Sequence, residues 1–317
     1  MAGNKPISRV AIIGTGVIGA SWAAQFLAKG LDVVATDIAP DAEEALRRFV
    51  DAAWPALERL GLAADASRLR LSFTADLAEA VMGADLVQEN GPERIDFKKK
   101  LYGQLDALLP PDVIIASSSS GLTMSEIQSG CPFHPERCVI AHPFNPPHLV
   151  PLVEIVGGAK TSEETIQRAA EFYTGLGKQT VRLHKEVPGH VANRLQAALA
   201  REVYYLVEQG VVSVADVDTA VCWGPGLRWG IMGQVLLNHL GGGQGGMEHF
   251  LAQFTGPLTA WWKTLGSPEL TPELQQKLIE GVHAEVGSRS IDDLAAERDE
   301  VLLGLLELRA KAAKAKA

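Results

Sequence analysis

An apolar run, Val10-Ala11-Ile12-Ile13, passes directly into Gly14-Thr15-Gly16-Val17-Ile18-Gly19, and this stretch restricts the fold more than any other in the chain. Four apolar residues ahead of three glycines read as a buried strand entering a tight turn and then a helix. The G-x-G-x-x-G spacing gives each glycine a separate task. Gly14 permits the turn, Gly16 lets the backbone approach a pyrophosphate, and Gly19 lets the helix lie close on the strand. A helix beginning at about Val17 and Ile18 would aim its free amides and the positive end of its dipole at the phosphates.

A glycine triplet alone is weak, so its surroundings matter. A second apolar strand, Leu31-Asp32-Val33-Val34-Ala35-Thr36, follows the helix, and Asp37 stands at its end, eighteen residues past Gly19. An acid there accepts from the ribose 2′-hydroxyl of NAD and repels the 2′-phosphate of NADP. NAD is therefore the expected cofactor.

With 317 residues the chain has room for two domains and a sizeable core. Its net charge of -9 argues against a nucleic-acid surface, which would be basic. No stretch reaches the ~18 to 20 apolar residues of a membrane span. Met1 to Arg9 is too short and polar for a signal peptide, so a cytoplasmic protein is expected. Cys131, Cys138 and Cys222 show no metal-ligand spacing and are expected to be buried or inert thiols, with no metal bound.

Strands and helices alternate as far as Lys185. From Pro40 to Leu71 a pair of helices is expected, the first from Ala42 to Leu60, broken at Gly61. Arg68 to Thr74 alternates like a strand, and Asp76 opens a short helix. Ala84 to Glu89 reads as a strand ending at the cofactor. The next helix carries Asp96, Lys98, Lys99 and Lys100 on its wet side and stops before Pro110-Pro111. Val113 to Ala116 is wholly apolar, as in the middle of a parallel sheet, and runs into Ser117 to Ser120. Cys138 to His142, Leu152 to Val156 and Gln179 to Leu183 complete the strands. The pattern predicts an α/β fold: a Rossmann-like doubly wound sheet over residues 1–187, then an all-helical domain over 188–317. The last helix is expected from Ile291 to Leu308, with a frayed tail from Lys311.

Open sheets bind ligands beyond the carboxyl ends of their strands, where the serines, His142 and Glu154 all fall by this reading. A nicotinamide takes hydride from a carbon bearing a hydroxyl, so another group must remove the hydroxyl proton. A histidine with a carboxylate neighbour suits that work, and serine or asparagine can hold the oxygen.

The segments Ala141-His142-Pro143-Phe144-Asn145-Pro146-Pro147, Leu152-Val153-Glu154-Ile155-Val156 and Glu186-Val187-Pro188-Gly189-His190-Val191-Ala192-Asn193-Arg194-Leu195 resemble the 3-hydroxyacyl-CoA dehydrogenase superfamily. The resemblance spans nearly the whole chain. It implies that His142 is the general base, that Glu154 orients it, and that Ser120 holds the substrate oxygen. It also implies that Asn193 reaches into the site and that Asn145 and Phe144 lie near the substrate. Glu93 and Lys98 match positions near the nicotinamide. The family serine usually follows an Asn-Thr pair, where this chain has Ser118-Ser119.

Gly224 to Gly233, Gly241 to Met247 and Trp261-Trp262-Lys263 resemble the branch that contains L-carnitine dehydrogenase and the lambda-crystallin type L-gulonate 3-dehydrogenase, and look closer to the former. Residues 40–71, which meet CoA in the acyl-CoA enzymes, hold five arginines against six acids and so offer no basic excess for a CoA phosphate. A small 3-hydroxy acid is the expected substrate, with L-carnitine first and L-gulonate or a short 3-hydroxyacyl-CoA as alternatives. Arg228 can grip its carboxylate, and Trp229, with Trp223, Trp261 or Trp262, can face a trimethylammonium group. The family implies a homodimer through the helical domain, an expectation that the apolar run Val203 to Val207 supports. The lambda-crystallins keep a non-enzymatic, structural role open.

Overall fold

The computed structural model describes residues 6–314. The chain divides into two compact units: the first runs to Asn193 and takes in Val301–Glu307, and the second holds Arg194–Glu300 and Leu308 onward.

In the first unit β1 (Arg9–Ile13) leads through the glycine turn into α1 (Val17–Ala28), followed by β2 (Asp32–Thr36) and α2 (Ala42–Leu60). Then come β3 (Leu71–Phe73), α3 (Leu77–Val81), β4 (Leu86–Glu89), α4 (Ile95–Leu108), β5 (Ile114–Ser117) and α5 (Met124–Ile127). β6 (Cys138–Pro143), β7 (Leu152–Gly157), α6 (Glu163–Gly175) and β8 (Gln179–Arg182) complete it. The eight strands lie in one sheet, in the order β3-β2-β1-β4-β5-β6-β7-β8. All neighbours are parallel except β6 and β7.

Alternation along β1 explains how the sheet is covered. Val10 and Ile12 face one way, into a core with Trp22 and Phe26 of α1. Ala11 and Ile13 face the other, against Leu101, Tyr102 and Leu105 of α4. Both faces are dry, which is why the central strands read as unbroken apolar runs. Each large side chain buried in this way stabilises the fold by roughly 1.5–3 kcal/mol before chain entropy is set against it.

Several local expectations need correction. Residues 40–71 hold one α-helix rather than two, with Pro55 inside it. The segment Arg68–Arg70 is a turn of 3-10 helix, capped by Ser67 accepting from the Leu69 amide, and only Leu71–Phe73 is strand. Alternation there reflects a short edge, not a long one. Asp76 does cap α3, accepting from the Glu79 amide. Lys98 is not on the wet side of α4 but fully buried.

Beyond β8 the described chain is helical, with α7 (Ala192–Glu208), α8 (Val214–Trp223), α9 (Pro225–Trp229), α10 (Gln234–Gly241), α11 (Gly246–Trp262), α12 (Pro272–Val286) and α13 (Ile291–Lys314). The last helix thus runs past Leu308 to Lys314, and residues 315–317 of the expected tail lie outside the described residues. Within the second unit Val207, Val214 and Val217 form a small core. Many of its large apolar side chains are instead exposed, among them Trp223, Trp261 and Trp262. Among the described residues no helix is long and apolar enough to cross a membrane. Cys131 and Cys138 are buried and unbridged, whereas Cys222 is unbridged and exposed.

Candidate active site

The three glycines differ in what closes on them. Gly14 has φ +83°, a conformation that favours glycine, and its amide donates to Thr36 O at 2.9 Å. A Cβ on Gly19 would lie 1.9 Å from Gly14 O, so only glycine lets α1 pack against the turn. A Cβ on Gly16 would meet no protein atom within 4 Å. The surface at Gly16 is therefore open, and α1 starts there with Gly16 as a cap that offers no side-chain acceptor. The amides of Val17 and Ile18 belong to the first turn, where helix amides lack internal partners and suit an anion.

Asp37 is tied to this turn. Its Oδ2 accepts from Thr15 N at 2.7 Å and Thr15 Oγ1 at 3.1 Å, and Oδ1 accepts from Ala39 N at 2.9 Å. Burial would raise its carboxyl, but these bonds and one from Ile38 outweigh it and hold it below the usual carboxylate range. The turn thus combines an open glycine, a helix start and an ionised acid, which fits a dinucleotide with a free ribose 2′-hydroxyl.

At the end of β4 stands a buried carboxylate that pattern reading did not single out as a site residue. Glu89 accepts from Lys98 Nζ at 2.7 and 2.9 Å, from Gly91 N at 2.6 Å and from Ser117 Oγ at 2.6 Å. Lys98 is committed to this pair, 3.8 Å from Glu93, so it props the site from below. Asn90, equally unremarked, lies against Gly14 and Gly19 and accepts from Ser118 Oγ at 2.7 Å.

Glu93 organises the serine loop. Its Oε1 accepts from Ser119 Oγ at 2.6 Å and from the amides of Ser120, Gly121 and Leu122 at 3.1, 2.7 and 3.2 Å. Burial would raise its carboxyl, but the Ser119 hydroxyl, the Gly121 amide, the Lys98 charge and the Leu122 amide bring it below the usual range. The first three serine hydroxyls all donate to neighbours. Ser120 Oγ alone of the four has no hydrogen-bond partner among the described residues.

His142 and Glu154 face each other across the antiparallel β6–β7 ladder. Glu154 is therefore the third residue of β7, not at its carboxyl end as expected. It lies beside His142 because β7 runs in the reverse direction. Directly opposed residues on such a ladder bring their Cβ atoms to ~5 Å. His142 Nδ1 is 2.9 Å from Glu154 Oε2, and both side chains are buried. Glu154 Oε1 accepts from the Val191 and Ala192 amides at 2.8 and 3.0 Å. Burial would raise the Glu154 carboxyl, but His142 and those two amides hold it below the usual range. An ionised Glu154 accepts, so His142 Nδ1 carries the proton and Nε2 is left as a base.

The segment after Glu154's two donors brings Asn193, half-buried at the start of α7. Phe144 is half-buried and Asn145 exposed just past β6, with a cis bond to Pro146. A further histidine, His190, is buried with its Nε2 3.0 Å from Ser119 O and its ring 4.9 Å from that of His142. Contacts therefore run without a break from the glycine turn through Asn90 and the serines to His190, His142 and Glu154. Arg228 and Trp229 belong to the second unit. Arg228 is exposed on α9, and Trp229 Nε1 donates to Gln234 Oε1 at 2.5 Å. A cavity of about 530 Å³ is lined by Trp54 and Arg68, and His142 is not among its lining residues.

Residues 9–187 match the family model described as "3-hydroxyacyl-CoA dehydrogenase, NAD binding domain", and residues 189–285 match its C-terminal domain. An L-carnitine dehydrogenase of Pseudomonas sp is 50% identical over 301 residues, 95% of this chain and 94% of that protein. The L-carnitine dehydrogenase of Streptomyces griseus subsp. griseus is 49% identical over 302 residues, 95% and 90% of the two chains. A solved 5-formyl-3-hydroxy-2-methylpyridine 4-carboxylic acid 5-dehydrogenase superposes with a TM-score of 0.82 at 33% identity, over 95% of this chain and 99% of that one.

Proposed function

The chain belongs to the 3-hydroxyacyl-CoA dehydrogenase family, and from that premise we propose that it oxidises the 3-hydroxyl of L-carnitine to the ketone with NAD. The observation that carries the chemistry is the buried His142–Glu154 pair, in a chain about half identical to L-carnitine dehydrogenases.

NAD bound at the glycine turn supplies the hydride acceptor, held by Gly14, Gly16, Val17, Ile18, Gly19 and Asp37. His142 Nε2 takes the hydroxyl proton as the carbonyl forms. Glu154, ionised, steadies the imidazolium through Nδ1 and keeps the ring turned to the substrate. Ser120 Oγ, with no partner of its own, donates to the reacting oxygen, and Asn193 adds a second donor. Glu93 and Lys98 act through the serine loop and β4 rather than by touching the reacting atoms. Such a positioned acid–base group contributes roughly 10²–10⁴ in rate.

Residues 188–317 form the substrate and dimer domain in this account. Arg228 grips the carboxylate, Trp229 presents a fixed aromatic face to the quaternary ammonium, and Phe144 and Asn145 line the approach. The exposed apolar residues of the second unit support a homodimer, because a surface of that kind is usually covered. The protein works in the cytoplasm.

The test is NADH formation with L-carnitine, L-gulonate, 3-hydroxybutyrate and 3-hydroxybutyryl-CoA, in the native protein and in Arg228→Met. L-Carnitine should be turned over best, and the variant should lose at least about tenfold in kcat/KM with it, as one charge-assisted contact warrants. Better turnover of gulonate or the acyl-CoA would reassign the substrate. No turnover of any would leave a structural role, and a monomer by light scattering would contradict the dimer.

A further inference from the structure

The four serines at the end of β5 differ in what they hold. Ser117 Oγ donates to Glu89, Ser119 Oγ donates to Glu93, and Ser120 is the one left for the substrate. Ser118 turns instead to the glycine turn. Glu89 and Ser117 pair across the parallel β4–β5 ladder, so the next residues, Asn90 and Ser118, stand side by side just past the strand ends. Both are half-buried. The Ser118 amide donates to Glu89 O at 2.8 Å, and its hydroxyl donates to Asn90 Oδ1 at 2.7 Å.

Chemistry fixes the direction of each bond in this cluster. Ile13 O and Gln88 O are carbonyls that only accept, so the Asn90 atom 3.3 and 3.0 Å from them is Nδ2, and Oδ1 is the atom that faces Ser118. The Trp22 indole N–H, 3.3 Å from Ser118 Oγ, can only donate, and Gln88 Nε2 donates to the same oxygen at 3.0 Å. The single hydroxyl proton of Ser118 is therefore committed to Asn90. Ser118 thus ties α1, through Trp22, to β4, through Gln88, and to Asn90 beyond it.

Asn90 in turn fills the space that two glycines leave. A Cβ on Gly14 would lie 2.8 Å from Asn90 O, and one on Gly19 would lie 3.2 Å from Asn90 Nδ2. The Asn90 amide also donates to Ile13 O at 2.7 Å, the last carbonyl before the turn. Backbone and side chain of Asn90 therefore both support the turn. Without the Ser118 donor, Oδ1 would be a half-buried acceptor left unmatched, and swinging toward water to satisfy it would withdraw Nδ2 from Gly19.

Resting on the reading of the glycine turn as the NAD site, we propose that Ser118 is a positioning residue for NAD, holding Asn90 against Gly14 and Gly19 so that the turn is set before the dinucleotide arrives. A site already ordered loses less freedom on binding, so the brace is read in cofactor affinity.

Calorimetry of NAD binding to the full chain, with melting temperatures alongside, tests this through a double-mutant cycle. Ser118→Ala and Asn90→Ala should each weaken NAD binding about tenfold. The two together should weaken it no more than Asn90→Ala alone, because one residue acts through the other. Ser118→Thr keeps the hydroxyl and should recover most of the affinity. Losses that add in the double variant overturn the proposal. So does a Ser118→Ala variant that melts lower but binds NAD as the native protein does, since Ser118 then braces only the fold. A folded Ser118→Thr as weak as Ser118→Ala also overturns it, because the hydroxyl is then not what holds Asn90. If Ser118→Ala does not fold, Ser118→Cys, of similar size with a weak donor, takes its place.

Gly16→Ala separates a failure of the underlying reading. If it binds NAD as tightly as the native protein, the glycine turn is not the NAD site and the role of Ser118 falls with it. If it weakens binding while Ser118→Ala does not, the turn holds NAD and only the role of Ser118 is wrong.

Discussion

His142 and Glu154 are twelve residues apart in the chain and directly opposite across the β6–β7 ladder, Nδ1 2.9 Å from Oε2. The pair exists because β7, with β8 parallel beside it, runs opposite to the other six strands of the sheet. Glu154 is further held by two backbone donors, so its charge is retained although it is buried.

Replacing Glu154 by Gln preserves the shape and removes the charge. We expect kcat to fall about 10²-fold or more, with NAD affinity little changed, since a triad-like orienting acid acts on the base. The sign of the pH effect follows from the depressed Glu154 carboxyl. Its contribution to stability is present above the ordinary carboxylate range and is lost as pH falls through the lower folded value. Thermal melts of Glu154→Gln should therefore lose part of the acid-side slope of the native protein.

Gly16 and Gly19 should fail in different ways. Gly16→Ala meets no protein atom, so the melting temperature should hold while NAD binding by calorimetry weakens at least tenfold, about 1.4 kcal/mol. Gly19→Ala drives a Cβ into Gly14 O and should destabilise the fold itself by about 1–3 kcal/mol. Equal effects of the two on melting would refute this division of labour.

Asp37→Ser should reduce discrimination against NADP. Removing the carboxylate takes away both the ribose acceptor and the repulsion of a 2′-phosphate. The ratio of kcat/KM for NAD over NADP should fall at least tenfold, with the NAD value itself reduced. The Thr15 bonds are lost as well, so a modest drop in melting temperature accompanies it.

Lys178 is buried among backbone carbonyls, Pro147 O and Val150 O, beneath the Trp22 ring. Burial, then the Lys29 charge, push its ammonium down to about 7. Between that value and the ordinary ~10.4 the unfolded chain binds the proton and the folded one does not, so stability should rise with pH across this window. Lys178→Met should flatten the rise, a difference of a few kcal/mol readable in denaturant melts. Parallel slopes would contradict it.

Much of the frame was legible in the sequence because local signals agreed there. The glycine spacing, the buried run Val10 to Ile13 and the acid at Asp37 each demand a particular backbone, and all three coincide in the structure. Sidedness was harder. The helical period placed Lys98 with its charged neighbours in water, yet a carboxylate from another strand, Glu89, draws it inward. Strand direction was equally hidden: nothing in Leu152–Gly157 announces that it runs antiparallel, and so Glu154 was expected at the wrong end. The burial of His190 carried no local signal, because its contacts, Ser119 O and the His142 ring, are remote in sequence.

The most direct test is the initial rate of NADH formation from L-carnitine, compared between the native protein and His142→Asn at neutral pH. The account predicts steady NADH production by the native protein and a loss of about 10²–10⁴ in the variant, with NAD binding intact. A variant as fast as the native protein, or no NADH from any 3-hydroxy acid, would contradict it.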